Sequence, residues 1–233
     1  MNHRKYLEKI LETLEKKYGK AFEAVRLNYE VDGTHGNFYR AVCKEKGGSE
    51  TFLAAYYFNG SDYLLSDFVE RDAELPGSEA VLVDEYPNML LNGMAADYLI
   101  GSDPNILYAF TDIRVGGYAF SMDDLAQGVT FCLSHKGLET QARIYLFVNE
   151  EVKNREQFEE EIISKTLALN IYKQSIDFAY VSGQVIEEVR ETYATERYML
   201  EDRLEEDIRV SRYSWYFVER GQEIRERKVV KEG

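Results

Sequence analysis

The apolar residues of the first segment fall three or four apart. Tyr6, Leu7, Ile10, Leu11, Leu14 and Tyr18 form one stripe, with Lys and Glu filling the other side. That spacing predicts an amphipathic helix stopped by Gly19. Directly beyond, the period drops to two: Val25, Leu27, Tyr29 and Val31 alternate as a strand with one buried face does, and Asp32-Gly33 supplies a turn. Further strands are expected at about Phe38 to Lys44 and Thr51 to Phe58, parted by Gly47-Gly48 and closed by Asn59-Gly60, with a shorter apolar run at Tyr63 to Val69. Connections this short do not allow parallel crossovers, so these strands read as an antiparallel meander.

From Asp84 or Glu85 the pattern returns to helix, with Leu90, Leu91, Met94, Tyr98 and Leu99 as its buried side and Gly101 with Pro104 as its stop. Ile106 to Val115 reads as a strand. Ser121 with Asp124 has the form of a helix start ahead of Leu125, Val129 and Leu133, a helix that Gly128 weakens. Ala142 to Val148 is a clear strand, Asn154 stands where it would cap a helix carrying Phe158, Ile162, Ile163 and Leu167, and Ser175 to Val181 alternates again. Between Gln184 and Asp207, the residues Val189, Tyr193, Leu200, Leu204 and Ile208 fit a long helix, whereas "QVIEEVRETY" also fits an edge strand; helix is the preferred reading. "RVSRYSWYFV" and "EIRERKVV" then form a closing hairpin. The fold class is α+β, antiparallel sheets packed by amphipathic helices. Two lobes, 1–103 and 104–233, or one larger domain both satisfy the pattern.

Composition narrows the function classes. The 233 residues are enough for a real core, and 45% hydrophobic with 30% charged residues is ordinary for a globular domain. A net charge of -14 repels phosphate backbones, which argues against a nucleic-acid partner. No run approaches the roughly 18 apolar residues of a membrane span. The charged N-terminal segment lacks the apolar core of a signal peptide, so the expected compartment is the cytoplasm, or the envelope if a leader has been removed.

Three stretches carry a family likeness: "LEKKYGKAFEAV", "YRAVCKEKG" and "SDYLLSDF". Together they resemble the start of poorly characterised helix-plus-meander proteins of Gram-positive bacteria, several of them lipoprotein-like, over about the first hundred residues. The resemblance implies an α+β fold of cystatin-like type and brings no catalytic signature with it. The N-terminal segment does not read as the leader that lipoprotein members carry, so an envelope role is expected only if a leader has been removed.

Motifs for cofactor chemistry are missing: there is no GxxxxGK[ST], GxGxxG or EF-hand loop, and no cofactor is expected. His3, His35 and His135 are isolated from one another, without metal-site spacing. His135 is the one that falls on an ordered element, where Asp112, Asp123 or Asp124 could join it as an acid-base pair. Cys43 and Cys132 sit in apolar settings that suit buried thiols, and Cys132 stands three residues from His135. Acidic groups gather at Asp62, Asp67, Glu70 and Asp72, at Glu159 to Glu161 and at Glu205 to Asp207, where a solvated face is the ordinary explanation.

Tyrosine is the unusual feature, at 18 residues, mostly in predicted strands. A tyrosine buries its ring while its hydroxyl reaches water, which suits thin sheets. It also gives rigid contact area, and Tyr213, Trp215 and Tyr216 in "RYSWYF" are the densest such group and the candidate ligand-binding patch. Bounded by acids, that patch would suit a basic or extended protein partner. The leading expectation is a non-enzymatic module that binds a protein partner or its own copy. The competing ones are a cofactor-independent hydrolase using carboxylates or His135, and an acidic inhibitor that mimics nucleic acid.

Overall fold

The computed structural model describes residues 3–32, 36–57, 70–72, 80–115, 122–133, 140–194, 203–204, 206–219 and 226–232. The chain divides into two compact units, Met1–Leu90 with Gly117–Ser121, and Leu91–Gly116 with Met122–Gly233. The division falls inside a helix, upstream of the Gly101 to Pro104 boundary that the sequence suggests.

In the first unit, helix α1 (His3–Tyr18) precedes strands β1 (Phe22–Asp32), β2 (Gly36–Glu45), β3 (Thr51–Tyr57), β4 (Glu70–Asp72) and β5 (Ala80–Asp84). The strands form an antiparallel sheet in the order β1-β2-β3-β5-β4. Tyr6, Ile10 and Leu14, four residues apart on α1, are buried against Phe22, Ala41, Cys43, Phe52, Ala54 and Leu82. Each such aliphatic side chain contributes about 1.5–3 kcal/mol by leaving water. Gly19 ends α1 at φ 65°, where its N–H donates to the Glu15 carbonyl.

One expectation for β1 is corrected. The register against β2 shifts between Ala24 and Arg26, so Val25 is an extra, bulged residue that points outward and is 59% exposed. The bulge explains why Phe22 and Leu27, an odd number of residues apart, both pack on the core. The run Tyr63 to Val69 lies outside the described residues.

Helix α2 (Tyr86–Ser102) begins in the first unit and continues into the second. The second unit then holds β6 (Ile106–Val115), α3 (Met122–Ala126), α4 (Val129–Leu133), β7 (Thr140–Asn149), α5 (Arg155–Leu167), β8 (Lys173–Val181), α6 (Ile186–Ala194), β9 (Val210–Glu219) and β10 (Glu226–Glu232). Its sheet runs β10-β9-β8-β7-β6. All neighbours are antiparallel except β7 and β8, which are parallel and joined through α5. The all-antiparallel expectation is corrected here: a helix between two strands is long enough to carry the chain back to the same end of the sheet.

Four local departures have plain causes. The helix expected from Ser121 splits into α3 and α4 because Gly128 takes φ 96°, although Leu125, Val129 and Leu133 are buried as the spacing requires. On α2 the inward residues are Leu91, Ala95 and Leu99, and Tyr98 is turned to solvent. Asn154 occupies the cap position of α5 but its side chain donates to Gln157 Oε1 at 2.9 Å and caps nothing. Ile208 is 95% exposed in the turn before β9, not on the stripe of Val189, Tyr193 and Leu204.

Alternation along the strands gives the second sheet two distinct faces. Gln174, Ile176, Phe178 and Tyr180 of β8 face α5, and Ser175, Asp177, Ala179 and Val181 face α6. The edge strand β6 is met by α2, whose Asn92 Oδ1 accepts from the Ile113 N–H at 2.8 Å.

Candidate functional site

Strand β9 runs through both faces of this sheet, and its residues divide between them. Arg212, Ser214 and Tyr216 turn toward α5, and Tyr213, Trp215 and Phe217 toward the α6 face.

On the α5 face the hub is Glu159, which is fully buried. Its Oε1 accepts from Ser214 Oγ at 2.7 Å and from the Tyr180 hydroxyl at 2.9 Å, and its Oε2 accepts from the Tyr216 hydroxyl. Arg212 Nε and Arg227 Nη2 each lie 3.9 Å from the carboxylate. Arg227 also holds Glu156 at 2.8 Å, and Arg155 stacks on the Tyr180 ring. Burial, and then the neighbouring Glu159 charge, push both phenols above the ordinary tyrosine range. They stay protonated and act as donors. This network satisfies a buried charge, fixing α5 on the sheet.

On the other face the hub is Asp177, also fully buried, which accepts from the Tyr213 hydroxyl. Register places Tyr145 on one side of it and Trp215 on the other, in a row that continues to Phe110 and to Lys228. Trp215 Nε1 donates to Ser175 Oγ at 2.5 Å. Toward one end, α6 and Leu204 cover the sheet with Val189 and Tyr193. There Asp207 accepts from the Tyr193 hydroxyl at 2.7 Å and from Arg209 Nη2 at 2.6 Å. Burial alone would raise this carboxyl; the hydrogen bonds from Arg209 and Tyr193 prevail and hold it at about 2.

Toward the other end the same face reaches solvent. Its next row reads Asp112, Arg143, Ser175, Phe217 and Glu226, and the one beyond it Arg114, Gln141, Lys173 and Glu219. Gln141, Arg143 and Arg114 are exposed, as is Lys228 beside Trp215, while Trp215, Phe217 and Phe110 are half-buried. Arg114 pairs with Asp112 at 3.2 Å. The open half therefore combines aromatic rings with residues of both charges, where the sequence reading expects acids.

No protein-family model matches this chain, and no curated protein does either. It is similar in structure to a DUF5037 family protein from Ruminococcus gnavus ATCC 29149, with a TM-score of 0.55 over 95% of this chain and 94% of that one. Sequence identity is 15%, so the likeness speaks to the fold, and it agrees with the α+β class. That neighbour comes from a Gram-positive bacterium, the source group of the resemblance seen in the first hundred residues.

The remaining sequence candidates fall as follows. Tyr213 and Tyr216 are buried on opposite faces, so of "RYSWYF" the open face presents Trp215 and Phe217. His135 lies outside the described residues, as do Asp62 and Asp67. Asp124 lies beside the Cys132 thiol, which donates to its carbonyl at 3.3 Å. Both cysteines are free and buried, and burial pushes Cys43 up to about 12 and Cys132 to about 11, far from a thiolate nucleophile. Among the described residues no group of His, Cys, Asp and Glu could hold a metal ion. Glu159 stands apart from its exposed neighbours Glu160 and Glu161.

A second polar cluster, in the first unit, fastens the end of α1. Buried Asp84 accepts from Lys17 Nζ at 3.0 Å and the Tyr18 hydroxyl at 2.7 Å, and Lys20 bridges Glu45 and the Tyr86 hydroxyl. The hydrogen bond from Lys20, then that from Tyr86, lowers the Glu45 carboxyl, and burial raises the Tyr86 phenol. These groups tie elements together and leave no activated base.

Proposed function

We propose that the protein is a non-enzymatic interaction module that receives a protein partner on the open half of the second sheet, with the cytoplasm as the place of encounter. The observation that carries this reading is the open half itself: Trp215, Phe217 and Phe110 are half-buried beside exposed Arg143, Gln141 and Lys228. Aromatic rings ringed by long polar side chains are the composition of interface centres and rims. Behind them, buried Glu159 is engaged by the Tyr180 and Tyr216 hydroxyls, whose raised pKa values suit structural donors. The helix over a five-stranded antiparallel sheet in the first unit supports a cystatin-like description of that unit, which belongs to the same proposal.

A photo-crosslinking amino acid placed at Phe217 tests the reading in cells that produce the protein. A discrete crosslinked protein is expected from position 217 and not from Arg4, on the exposed side of α1. Equal crosslinking from both positions, or none from either, overturns it.

A further inference from the structure

We infer that β1, the outer strand of the first sheet, pairs antiparallel with β1 of a second copy of this chain. This contact belongs to the first unit and does not depend on the open half of the second sheet.

The four sheet edges differ in how they are protected. An unpaired edge strand is a template for another strand, and folded proteins shorten, charge, bulge or cover it. β4 is three residues long. β6 is covered, with Asn92 Oδ1 accepting from the Ile113 N–H at 2.8 Å and Arg190 Nη2 reaching the Leu107 carbonyl at 3.5 Å. β10 has charges at five of its seven residues and a register shift between Val229 and Lys231. β1, by contrast, is 11 residues long, and among the described residues no strand lies beyond it. The bulge at Val25 interrupts only its first part; from Arg26 to Asp32 it pairs with β2 in unbroken register, so its outer edge is regular over that span.

The residues of that span select the occupant. A two-fold axis through Asn28 sets two β1 strands antiparallel, with Asn28 opposite its own copy, Arg26 opposite Glu30 and Leu27 opposite Tyr29. By alternation Arg26, Asn28 and Glu30 fall on one face of the sheet, Leu27 and Tyr29 on the other. On the first face symmetry makes two Arg–Glu pairs, and exposed Arg26 already extends toward the axis, its Nε donating to Asn28 Oδ1 at 3.1 Å. On the second, Leu27 packs against the core of the first unit, so the Leu–Tyr pairs would carry that core from copy to copy. The segment is its own complement. A strand from another protein would use the same backbone edge without any claim on this charge pattern.

The net charge of -14 opposes self-association, so the test is run at about 0.15 M salt, where the Debye length is about 8 Å. Sedimentation equilibrium of the full chain is expected to show a monomer–dimer equilibrium with a dissociation constant on the order of 10–100 μM, since an edge contact is small. Arg26→Glu and Glu30→Arg should each weaken it roughly tenfold or more, and a chain carrying both changes should recover to within about threefold of wild type. Mixing the two single variants is the sharper arm. Each alone sets like charges across the axis, whereas one copy of each sets only opposite charges, so the mixture should dimerise where neither variant does. Arg26 is exposed, and Arg26→Glu should leave the melting temperature unchanged. A chain that stays monomeric up to roughly 1 mM overturns the inference. So does a dimer insensitive to both reversals, or one that neither the double variant nor the mixture restores. A dimer broken by Trp215→Ala and by neither reversal assigns the contact to the second sheet and overturns it as well.

Discussion

The two faces of the second sheet are built around the same device and put it to different use. Each buries one carboxylate, Glu159 or Asp177, under a β9 tyrosine hydroxyl. On the α5 side the carboxylate comes from the helix, so the network bolts helix to sheet and the face is closed. On the α6 side it comes from a strand, so the same chemistry locks neighbouring strands and needs no helix above it. The origin of the buried carboxylate thus decides whether it ties a helix to the sheet or one strand to the next.

Removing the hubs breaks the comparison most directly. Glu159→Ala removes the acceptor of three hydroxyls and the buried anion beside Arg212 and Arg227, and a loss of about 3–5 kcal/mol in urea denaturation is expected; a loss below about 1 kcal/mol would mean α5 is held by its apolar residues alone. Next comes Asp207→Asn on the covered end, at about 1–3 kcal/mol near neutral pH. Because the folded Asp207 carboxyl titrates at about 2, below its ordinary 3.8, its stabilisation is complete above pH ~4 and is lost as pH falls toward 2. The gap between wild type and Asp207→Asn should therefore narrow on acidification, and a gap that widens contradicts the assignment.

Tyr216→Phe and Tyr213→Phe sharpen the contrast further. Each removes one donor to a buried carboxylate and should cost about 1–2 kcal/mol. Hydrogen exchange should then distinguish them, with faster exchange in α5 for Tyr216→Phe and in β8 for Tyr213→Phe. The smallest effect on stability is expected for Arg143→Glu, within about 0.5 kcal/mol, since the residue is exposed. A fully folded Arg143→Glu that no longer binds would separate the open face from the fold.

Much of the fold was legible because the apolar period names the element type: α1, β1, β6, β7, α5 and β8 follow directly from it. What the period cannot show is a residue inserted without a gap in the pattern. Val25 is apolar and keeps the alternation on paper, yet the bulge sends it outward. Strand direction was hidden for a similar reason, since nothing in the residues of β7 and β8 distinguishes parallel pairing; only the length of the α5 connection hints at it. The site was less legible. "RYSWYF" reads as one patch, but neighbours on a strand point oppositely, so Tyr216 belongs to another face than Trp215. Two signals were there to be used: Glu159 lies three and four residues before Ile162 and Ile163 on the buried stripe, and Asp177 interrupts the apolar run from Ile176 to Val181. The charged rim had no such signal, because Arg114, Arg143, Lys173 and Lys228 come from four strands and meet only in the folded sheet.

Trp215 is the chain's one indole, and it stands on the border between covered and open sheet. The molecule consequently carries its own optical gauge at the place that matters: ultraviolet emission from a single known position reports water, ligand or loosening of α6 without any attached dye. Few variants would be needed to read it, as no second tryptophan has to be removed first.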